Sequence, residues 1–288
     1  MFDLYLNAAV GGALTGLVYG LMALGLSVIF GVVRVVNFAH GEMMTAAMYG
    51  AVVLAQAFKL DPLVAMAPIA VAMFILGYGL QRGLVNAFVT RPEHTQFMLL
   101  VAVAIILSNG QLTAFGPDTA TVQVDYALDS YQFGALIIGK VQVIAAATAL
   151  AVSAALFAFF RFTLTGRAIR ACADNYLGAQ VVGLNVRHLY GLTFGIGAAC
   201  LGAAGCLQLL LSNVTPLQGP SYTLLAFIIV IVGGMGSLTG ALLSGLLVGV
   251  SEALAGAMFD PSAKSMFTFA LLILVLLFRP QGLLGRRP

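Results

Sequence analysis

The sequence predicts an all-α, polytopic membrane helix bundle with about eight apolar segments, one of them a broken or re-entrant helix. Of its 288 residues, 61% are hydrophobic and 8% are charged, whereas a soluble domain averages about 25% charged residues. The mean hydropathy is +1.05. Long stretches without a formal charge separate the few charged residues. This composition excludes a soluble globular domain, a disordered chain and a nucleic-acid-binding surface.

The stretches without a formal charge give the predicted crossings in order. They cover residues 4–33, 43–58, 62–81, 94–117, 141–160, 188–251 and 265–278. A helix needs roughly 20 apolar residues to cross the hydrocarbon core, so most stretches hold one helix and the longest holds two or three. We expect no signal peptide, because MFDLYLN lacks a basic region and the first apolar stretch is too long for one.

Arginine and lysine fall in alternate loops. All ten arginines lie in one set of loops and the C-terminal tail, whereas the other set contains Lys59, Lys140 and Lys264. By the positive-inside rule the arginine side is cytoplasmic. We therefore expect a periplasmic N-terminus, outward loops at 116–139, at 212–222 and around Asp260, a cytoplasmic loop 161–187 and a cytoplasmic C-terminus. The alternation in TVQVDY (121–126) predicts a small hairpin in the outward loop.

Two stretches interrupt otherwise smooth apolar segments: VVRVVNFAHGEMM and GGMGSLTG. Unwound backbone at membrane depth requires surrounding protein or water, and paired interruptions point to a transport path. We predict that both stretches meet near the centre and flank a translocation path that contains Asn37, His40, Glu42, Gly233, Gly234, Gly236 and Ser237. His40 and Glu42 are expected at the inward edge, as a structural latch. The alternative is a tight cytoplasmic turn over 37–42 that caps a helix.

The region 222–258 is expected to start and end on the outward side. Its first half, LLAFIIVIV, is too short to cross, so it predicts a re-entrant helix that turns at GGMGSLTG and returns through a second helix. Glycines at four-residue spacing allow helix backbones to approach closely in lipid, which predicts a tightly packed bundle. They are Gly12, Gly16, Gly20, Gly236, Gly240, Gly245 and Gly249.

The longest inward connection runs from Arg161 to Tyr190. It contains a helix-like run from 168 to 182 between Gly166 and Gly183, and a plain linker would be shorter and more polar. One side of this run is predicted to be apolar, with Ile169, Ala173, Leu177 and Val181. Such an amphipathic element is expected to lie at the membrane interface or to dock a soluble partner.

No motif for catalysis, metal binding or cofactor binding is complete. GALIIGKV fails as a phosphate loop, because Val141 stands where a Ser or Thr hydroxyl would hold Mg²⁺. The three histidines match no metal pattern, and no G-x-S-x-G elbow occurs. The three cysteines build no disulfide framework and are expected to be packing residues. We therefore expect no catalytic residue, no metal site and no cofactor in this chain.

Two other classes of protein remain as alternatives. The first is an ion-coupled secondary transporter or channel that acts alone, which should contain carboxylates in mid-span. Only Glu42 and Glu252 come close, and both lie near interruptions or ends. The second is a membrane-embedded hydrolase, which lacks a nucleophile and a base at usable spacing.

Four segments in order resemble the permease subunits of ABC importers for branched-chain amino acids, over nearly the whole chain. They are GLVYGLMALGLSVIFGVVRVVNFAHGEMM, GRAIRACADNYLGAQVVGLNVRHLYGLTFGIGAACLGAAG, IVGGMGSLTGALLSG and RPQGLLG, and NFAHGE and the pattern from Ala179 to Gly183 are the most specific parts. The resemblance implies a bacterial cytoplasmic (inner) membrane location. The implied cargo is branched-chain or other apolar amino acids, although family members also carry urea, short amides or aromatic acids.

The same resemblance implies the partners. They are a second homologous permease subunit, identical or paralogous, two cytoplasmic ATPase subunits that bind ATP and Mg, a periplasmic substrate-binding protein and membrane lipid. The inward loop resembles the coupling helix that fits a groove on an ATPase subunit. This implies a coupling role for Asp174, Ala179 and Gly183.

Overall fold

The computed structural model describes residues 2–89, 91–134, 136–259 and 264–285. These residues form eleven α-helices and one β-hairpin. The elements are α1 (Phe2–Val33), α2 (His40–Phe58), α3 (Pro62–Gly83), α4 (Glu93–Phe115), β1 (Ser130–Phe133), β2 (Leu136–Gly139), α5 (Lys140–Phe162), α6 (Leu164–Asp174), α7 (Tyr176–Val181), α8 (Val186–Leu211), α9 (Gly219–Gly233), α10 (Leu238–Met258) and α11 (Lys264–Phe278). Short 3₁₀ turns precede α4 and α9, at Val85–Ala87 and Pro216–Gln218.

Seven helices in these residues are long and apolar enough to cross a membrane. They are Asp3–Val33, Pro62–Ala87, Glu93–Phe115, Lys140–Phe162, Val186–Leu211, Pro216–Gly233 and Leu238–Met258. The 15-residue α11 is a shorter apolar helix, and α2 is not among the seven. The prediction of an all-α polytopic bundle with about eight apolar segments is confirmed.

The centre of the bundle consists of α1 and α8, since 78% of the most apolar window in each helix is buried. Glycines bring α1 and α10 together in antiparallel orientation. A Cβ atom on Gly16 would lie 2.7 Å from the Gly245 carbonyl oxygen, and one on Gly249 would lie 2.5 Å from Gly16 Cα. No side chain fits at these contacts, so the predicted close packing at four-residue glycine spacing is confirmed.

The loops that were expected to share one side lie at one end of the bundle. The Ile137 amide donates to Asn7 Oδ1 at 2.7 Å, which joins the hairpin to the start of α1. Ala120 pairs with Val214, which joins the segment after α4 to the α8–α9 connection. We call this the lysine end, because it carries Lys59, Lys140 and Lys264. The opposite end, the arginine end, carries Arg34, Arg82, Arg91, Arg161, Arg167, Arg170, Arg187 and Arg279. Asp260, Arg286 and Arg287 lie outside the described residues.

The hairpin forms at a different place from the one predicted. Its strands pair Ser130 with Gly139, and Gly134 closes the turn at φ +64°. The predicted stretch 121–126 is not a strand. Its two ends are hydrogen-bonded to other parts of the lysine end, since Ala120 pairs with Val214 and Tyr126 bonds to Asp61. The Tyr126 hydroxyl donates to Asp61 Oδ2 at 2.7 Å, and burial together with this bond raises the pKa of Tyr126.

The inward loop contains two helices instead of the predicted single run. Asn175 ends α6, and its Oδ1 accepts a hydrogen bond from the Gly178 amide at 2.8 Å, which caps α7. The break separates the predicted apolar side, because Ile169 is buried whereas Leu177 and Val181 are exposed. Gly166 lies inside α6 and does not precede it.

The first arm of the 222–258 region is longer than LLAFIIVIV suggested. The helical path starts at Pro216, where the Thr215 and Gln218 side chains form a capping box, and it is 18 residues long. A proline at the first turn and this cap both favour an early helix start. The helical path Pro216–Gly233 is therefore long enough to cross the membrane, and it reaches the arginine end at Gly233.

Candidate translocation site

α2 begins inside the bundle. His40 Nε2 lies 3.1 Å from the carbonyl oxygen of Met22, in the middle of α1. Met22 is eleven residues before the end of α1, a distance of roughly 16 Å along a helix axis. The non-helical segment 34–39 therefore runs back toward the centre, and Asn37 and His40 are fully buried there. The alternative of a tight turn at the surface is wrong, and so is the expected position of His40 and Glu42 at the inward edge.

The start of α9 packs directly on the start of α2. Thr223 Oγ1 accepts a hydrogen bond from the Gly41 amide at 2.8 Å and lies 3.2 Å from Glu42 Oε2, to which its hydroxyl donates. A Cβ atom on Gly219 would lie 2.8 Å from Glu42 Cγ, so only glycine allows this approach. We call His40, Gly41, Glu42, Gly219 and Thr223 the α2–α9 junction. The start of α2 and the first turns of α9 thus meet inside the bundle.

Further polar groups complete this junction. The Gln111 amide of α4 donates to the Glu42 carbonyl oxygen at 2.9 Å, and Asn37 Oδ1 accepts from the Ala39 amide at 3.1 Å. Buried polar atoms are normally hydrogen-bonded. Within the described part of the chain, His40 Nδ1 and Gln111 Oε1 are buried and have no partner. The junction therefore retains hydrogen-bonding capacity that these residues do not use.

The second predicted interruption lies at the arginine end, not at the centre. Gly236 lies beside Gly31, near the end of α1, and a Cβ on Gly236 would lie 3.2 Å from Gly31 Cα. Gly233 packs against Gly240 where α9 meets α10. The segment 233–237 is thus a turn between two spanning helices. The stretch that meets 37–42 at the centre is Gly219–Thr223.

A cavity of about 1570 Å³ opens at the arginine end. Its wall includes Arg34, Val36, Phe38 and the turn 235–239, so parts of both predicted interruptions line one space. Phe38, Phe157 and Phe160 give it apolar surface. Charged side chains on its wall are Arg34, Glu93, Arg167, Arg170 and Asp174. An amphiphilic small molecule would find both kinds of contact here.

The predicted path residues occupy three different places. Gly236 and Ser237 line the cavity, whereas His40 and Glu42 belong to the junction and Asn37 is buried beside it. Gly233 and Gly234 pack against neighbouring backbone, at Gly240 and at the C-terminal segment. Leucine at Gly234 would therefore disrupt this packing, so it is not the clean blocking variant that an open path would allow. Their roles in transport remain predictions.

The predicted coupling residues lie in or beside α6 and α7. Asp174 ends α6 and lines the cavity, and Ala179 is 4% exposed in α7. Gly183 follows α7 at φ +84°, which favours glycine. The side chains that α7 presents outward are different ones, Leu177 and Val181, which are 68% and 87% exposed. A docking partner would meet these two first.

Sequence reasoning missed Thr223, Gly219 and Gln111. A signal for the first two exists, because the Thr215–Gln218 capping box followed by Gly-Pro marks a helix start inside the longest uncharged stretch. Gln111 is a lone polar residue in an apolar span, which is a weaker signal. Neither pattern reveals that these residues meet α2.

Comparison with known proteins gives matches over nearly the whole chain. Residues 8–276 match the family model described as branched-chain amino acid transport system, permease component. The permease protein BraD of the high-affinity branched-chain amino acid transport system of Pseudomonas aeruginosa is 30% identical, over 98% of this chain and 96% of that protein. LivH of Salmonella typhimurium, a permease protein of the same kind of system, is 33% identical over 99% and 97%.

A third relative matches over a shorter stretch. LivM of Escherichia coli K12, also a high-affinity branched-chain amino acid transport system permease protein, is 34% identical over 41% of this chain and 28% of its own length. The seven apolar spans and the full-length matches identify a multi-pass membrane protein. The chain therefore belongs to the family of permease components of branched-chain amino acid transport systems.

Proposed function

We propose that this chain is a non-enzymatic permease subunit of a bacterial ABC importer for branched-chain or other apolar amino acids. The observation that carries the proposal is the arginine-end cavity, whose wall includes Phe38 beside Thr223 of the α2–α9 junction, in a chain with full-length permease relatives. Apolar walls suit a hydrophobic side chain, and the arginines suit a carboxylate. Both groups are present in such amino acids.

In this proposal the junction is the closed part of the path and the cavity is its exit. The hydrogen bonds of Thr223 hold the start of α9 against α2, so cargo passes only when the two helix starts separate. The cavity opens at the arginine end, which is the cytoplasmic end by the positive-inside rule. Under this assignment the cavity is open to the cytoplasm, the N-terminus is periplasmic and the C-terminus is cytoplasmic.

The proposed assembly supplies what this chain lacks. A second homologous permease subunit completes the membrane part, a periplasmic binding protein delivers cargo, and two ATPase subunits hold ATP and Mg. The loop 161–187 is the proposed contact with an ATPase subunit, and 116–139 is the proposed outward loop. The whole of 1–288 is treated as one permease domain without a cofactor of its own.

Purification and transport together test this function. The tagged chain should co-purify with ATPase subunits, and the reconstituted complex should import leucine only with ATP. Replacing the catalytic residues of the ATPase subunits is the matched control, because it leaves this chain unchanged. Leucine uptake by this chain alone, driven by an ion gradient, would contradict the proposal and support the ion-coupled alternative.

Coupling needs a variant that leaves the membrane fold intact. Ala179→Asp would place a charge at a buried position of this chain, so it tests folding as well as docking. Val181→Asp is better, because Val181 is 87% exposed, and Leu128→Asp at the lysine end is the control, because Leu128 is 98% exposed. Val181→Asp should weaken ATPase association and transport. Equal effects of both variants would place the docking surface elsewhere.

A further inference from the structure

The C-terminal segment Arg279–Gly285 folds back from α11 onto the end of α9. The Leu283 amide donates to the Val232 carbonyl oxygen at 2.8 Å, and the Leu284 amide donates to that of Gly233 at 3.1 Å. The last four carbonyls of a helix have no partner inside the helix. The C-terminal segment therefore supplies two of the hydrogen bonds that the end of α9 needs.

Three glycines bring this segment into backbone contact with the turn after α9. A Cβ on Gly282 would lie 2.5 Å from the Gly234 nitrogen, and one on Gly234 would lie 2.6 Å from Gly285 Cα. Gly234 and Gly282 also have positive φ, +98° and +80°. Because backbone packs on backbone without side chains between, the two segments cannot slide past each other without losing these contacts.

The turn held in this way lines the arginine-end cavity. Gly236 and Ser237 are on the cavity wall, and Gly236 also lies against Gly31 of α1. Leu284 of the C-terminal segment reaches the same wall and is 46% exposed. The same turn therefore contacts the C-terminal segment on one side and the end of α1 on another.

We infer that Arg279–Gly285 is a positioning segment for transport, which clamps the α9–α10 turn and sets the opening of the cavity. Anchoring α11 does not require it, because Thr268 already donates to Glu252 of α10 at 2.9 Å. The inference rests on the proposed function only where it concerns cargo. The geometric part, a turn held by the C-terminal segment, applies to any cargo.

The test compares two glycines that both have a positive φ, Gly282 at +80° and Gly134 at +64°. The new Cβ in Gly282→Ala would lie 2.5 Å from the Gly234 nitrogen, whereas the Cβ in Gly134→Ala would have no atom within 4 Å. A cysteine at Leu238, on the cavity wall, reports the opening through its rate of reaction with a maleimide in lipid nanodiscs that contain the whole complex. The three native thiols of this chain are all buried, and burial raises the pKa of the Cys172 thiol. Transport is measured without the Leu238→Cys change.

Gly282→Ala should speed the labelling at position 238 by roughly three-fold or more, because the wall moves and the thiol is uncovered. It should lower the maximal transport rate about five-fold and leave the KM for leucine unchanged, as expected when a moving element is misplaced. Gly134→Ala should do neither. Unchanged labelling in Gly282→Ala would overturn the inference.

A second variant covers the case in which Gly282→Ala does not assemble. Leu283→Pro removes the amide that donates to the Val232 carbonyl oxygen and adds no side chain at the glycine contacts, so loss of this bond should raise labelling at position 238. No change in that variant would also overturn the inference. If the labelling shifts as expected but the wild-type complex does not import leucine, the positioning role stands and the cargo assignment falls.

Discussion

Replacing Thr223 by valine removes the one hydroxyl that joins the starts of α2 and α9. Valine has nearly the same shape, so the packing of the junction is preserved. The Thr223 hydroxyl has one hydrogen, which it shares between Glu42 Oε2 at 3.2 Å and the Phe38 carbonyl oxygen at 3.4 Å, and it accepts from the Gly41 amide at 2.8 Å. The variant therefore loses one donated and one accepted bond.

The magnitude follows from the buried groups left without partners. A buried donor or acceptor left unpaired costs about 1–3 kcal/mol, although hydrogen bonds between membrane helices average only about 0.6 kcal/mol. Two such losses give about 1 kcal/mol at the membrane average and up to about 6 kcal/mol at the full burial cost for Thr223→Val. Since about 1.4 kcal/mol is a factor of ten in an equilibrium constant, the ratio of closed to open junction should fall by roughly seven-fold or more.

The control is Thr148→Val in α5, whose hydroxyl donates only to the Ile144 carbonyl oxygen of its own helix at 2.8 Å. Unfolding of both purified variants in detergent gives the stability difference, and uptake by the reconstituted complex gives the functional one. Thr223→Ser keeps the hydroxyl and should restore both. If Thr223→Val and Thr148→Val differ by less than about 0.5 kcal/mol, the junction is not held by these bonds.

The remaining predictions concern packing, the outer loop and orientation. Gly245→Ala should lower the unfolding temperature, because a Cβ there would lie 2.5 Å from the α1 backbone and overpacking costs about 1–3 kcal/mol. The control is Gly79→Ala, whose Cβ would have no atom within 4 Å, and it should stabilise the protein slightly or leave its stability unchanged. Asp61→Asn should weaken the bond from Tyr126, with a loss of about 0.5–1.5 kcal/mol, and hydrogen exchange in the loop after α4 should rise. A cysteine at Asp125 should react with an impermeant maleimide in intact cells, and reaction only after lysis would reverse the orientation.

Local sequence patterns were sufficient to predict the class of protein and the close contact between α1 and α10. The length of an apolar stretch is compared directly with the thickness of the bilayer, so the spans follow from composition and charge positions. Likewise, Gly12, Gly16 and Gly20 predict a close helix contact because the spacing of a helix face is a local property. Family membership was also predicted from short segments, and the full-length matches confirm it.

Positions at element boundaries were less predictable. Whether α7 continues α6 depends on which backbone amide the Asn175 side chain meets, and the alternation of 121–126 resembles a strand although Tyr126 is held by Asp61 instead. In both places a single side-chain hydrogen bond outweighs a weak periodic signal. Such bonds depend on neighbours that the local pattern does not contain.

Sequence alone therefore determined that the chain is a membrane helix bundle, where most of its spans lie, which loops share an end and which family it belongs to. Only the tertiary structure decided the depth of His40, the partner of Glu42 and the place of the C-terminal segment. Gly41 and Thr223 are 182 residues apart, and no helical or strand period relates two such positions. The physical reason is that a buried polar group must find a partner wherever the packed chain brings one, and that choice is made by the whole fold.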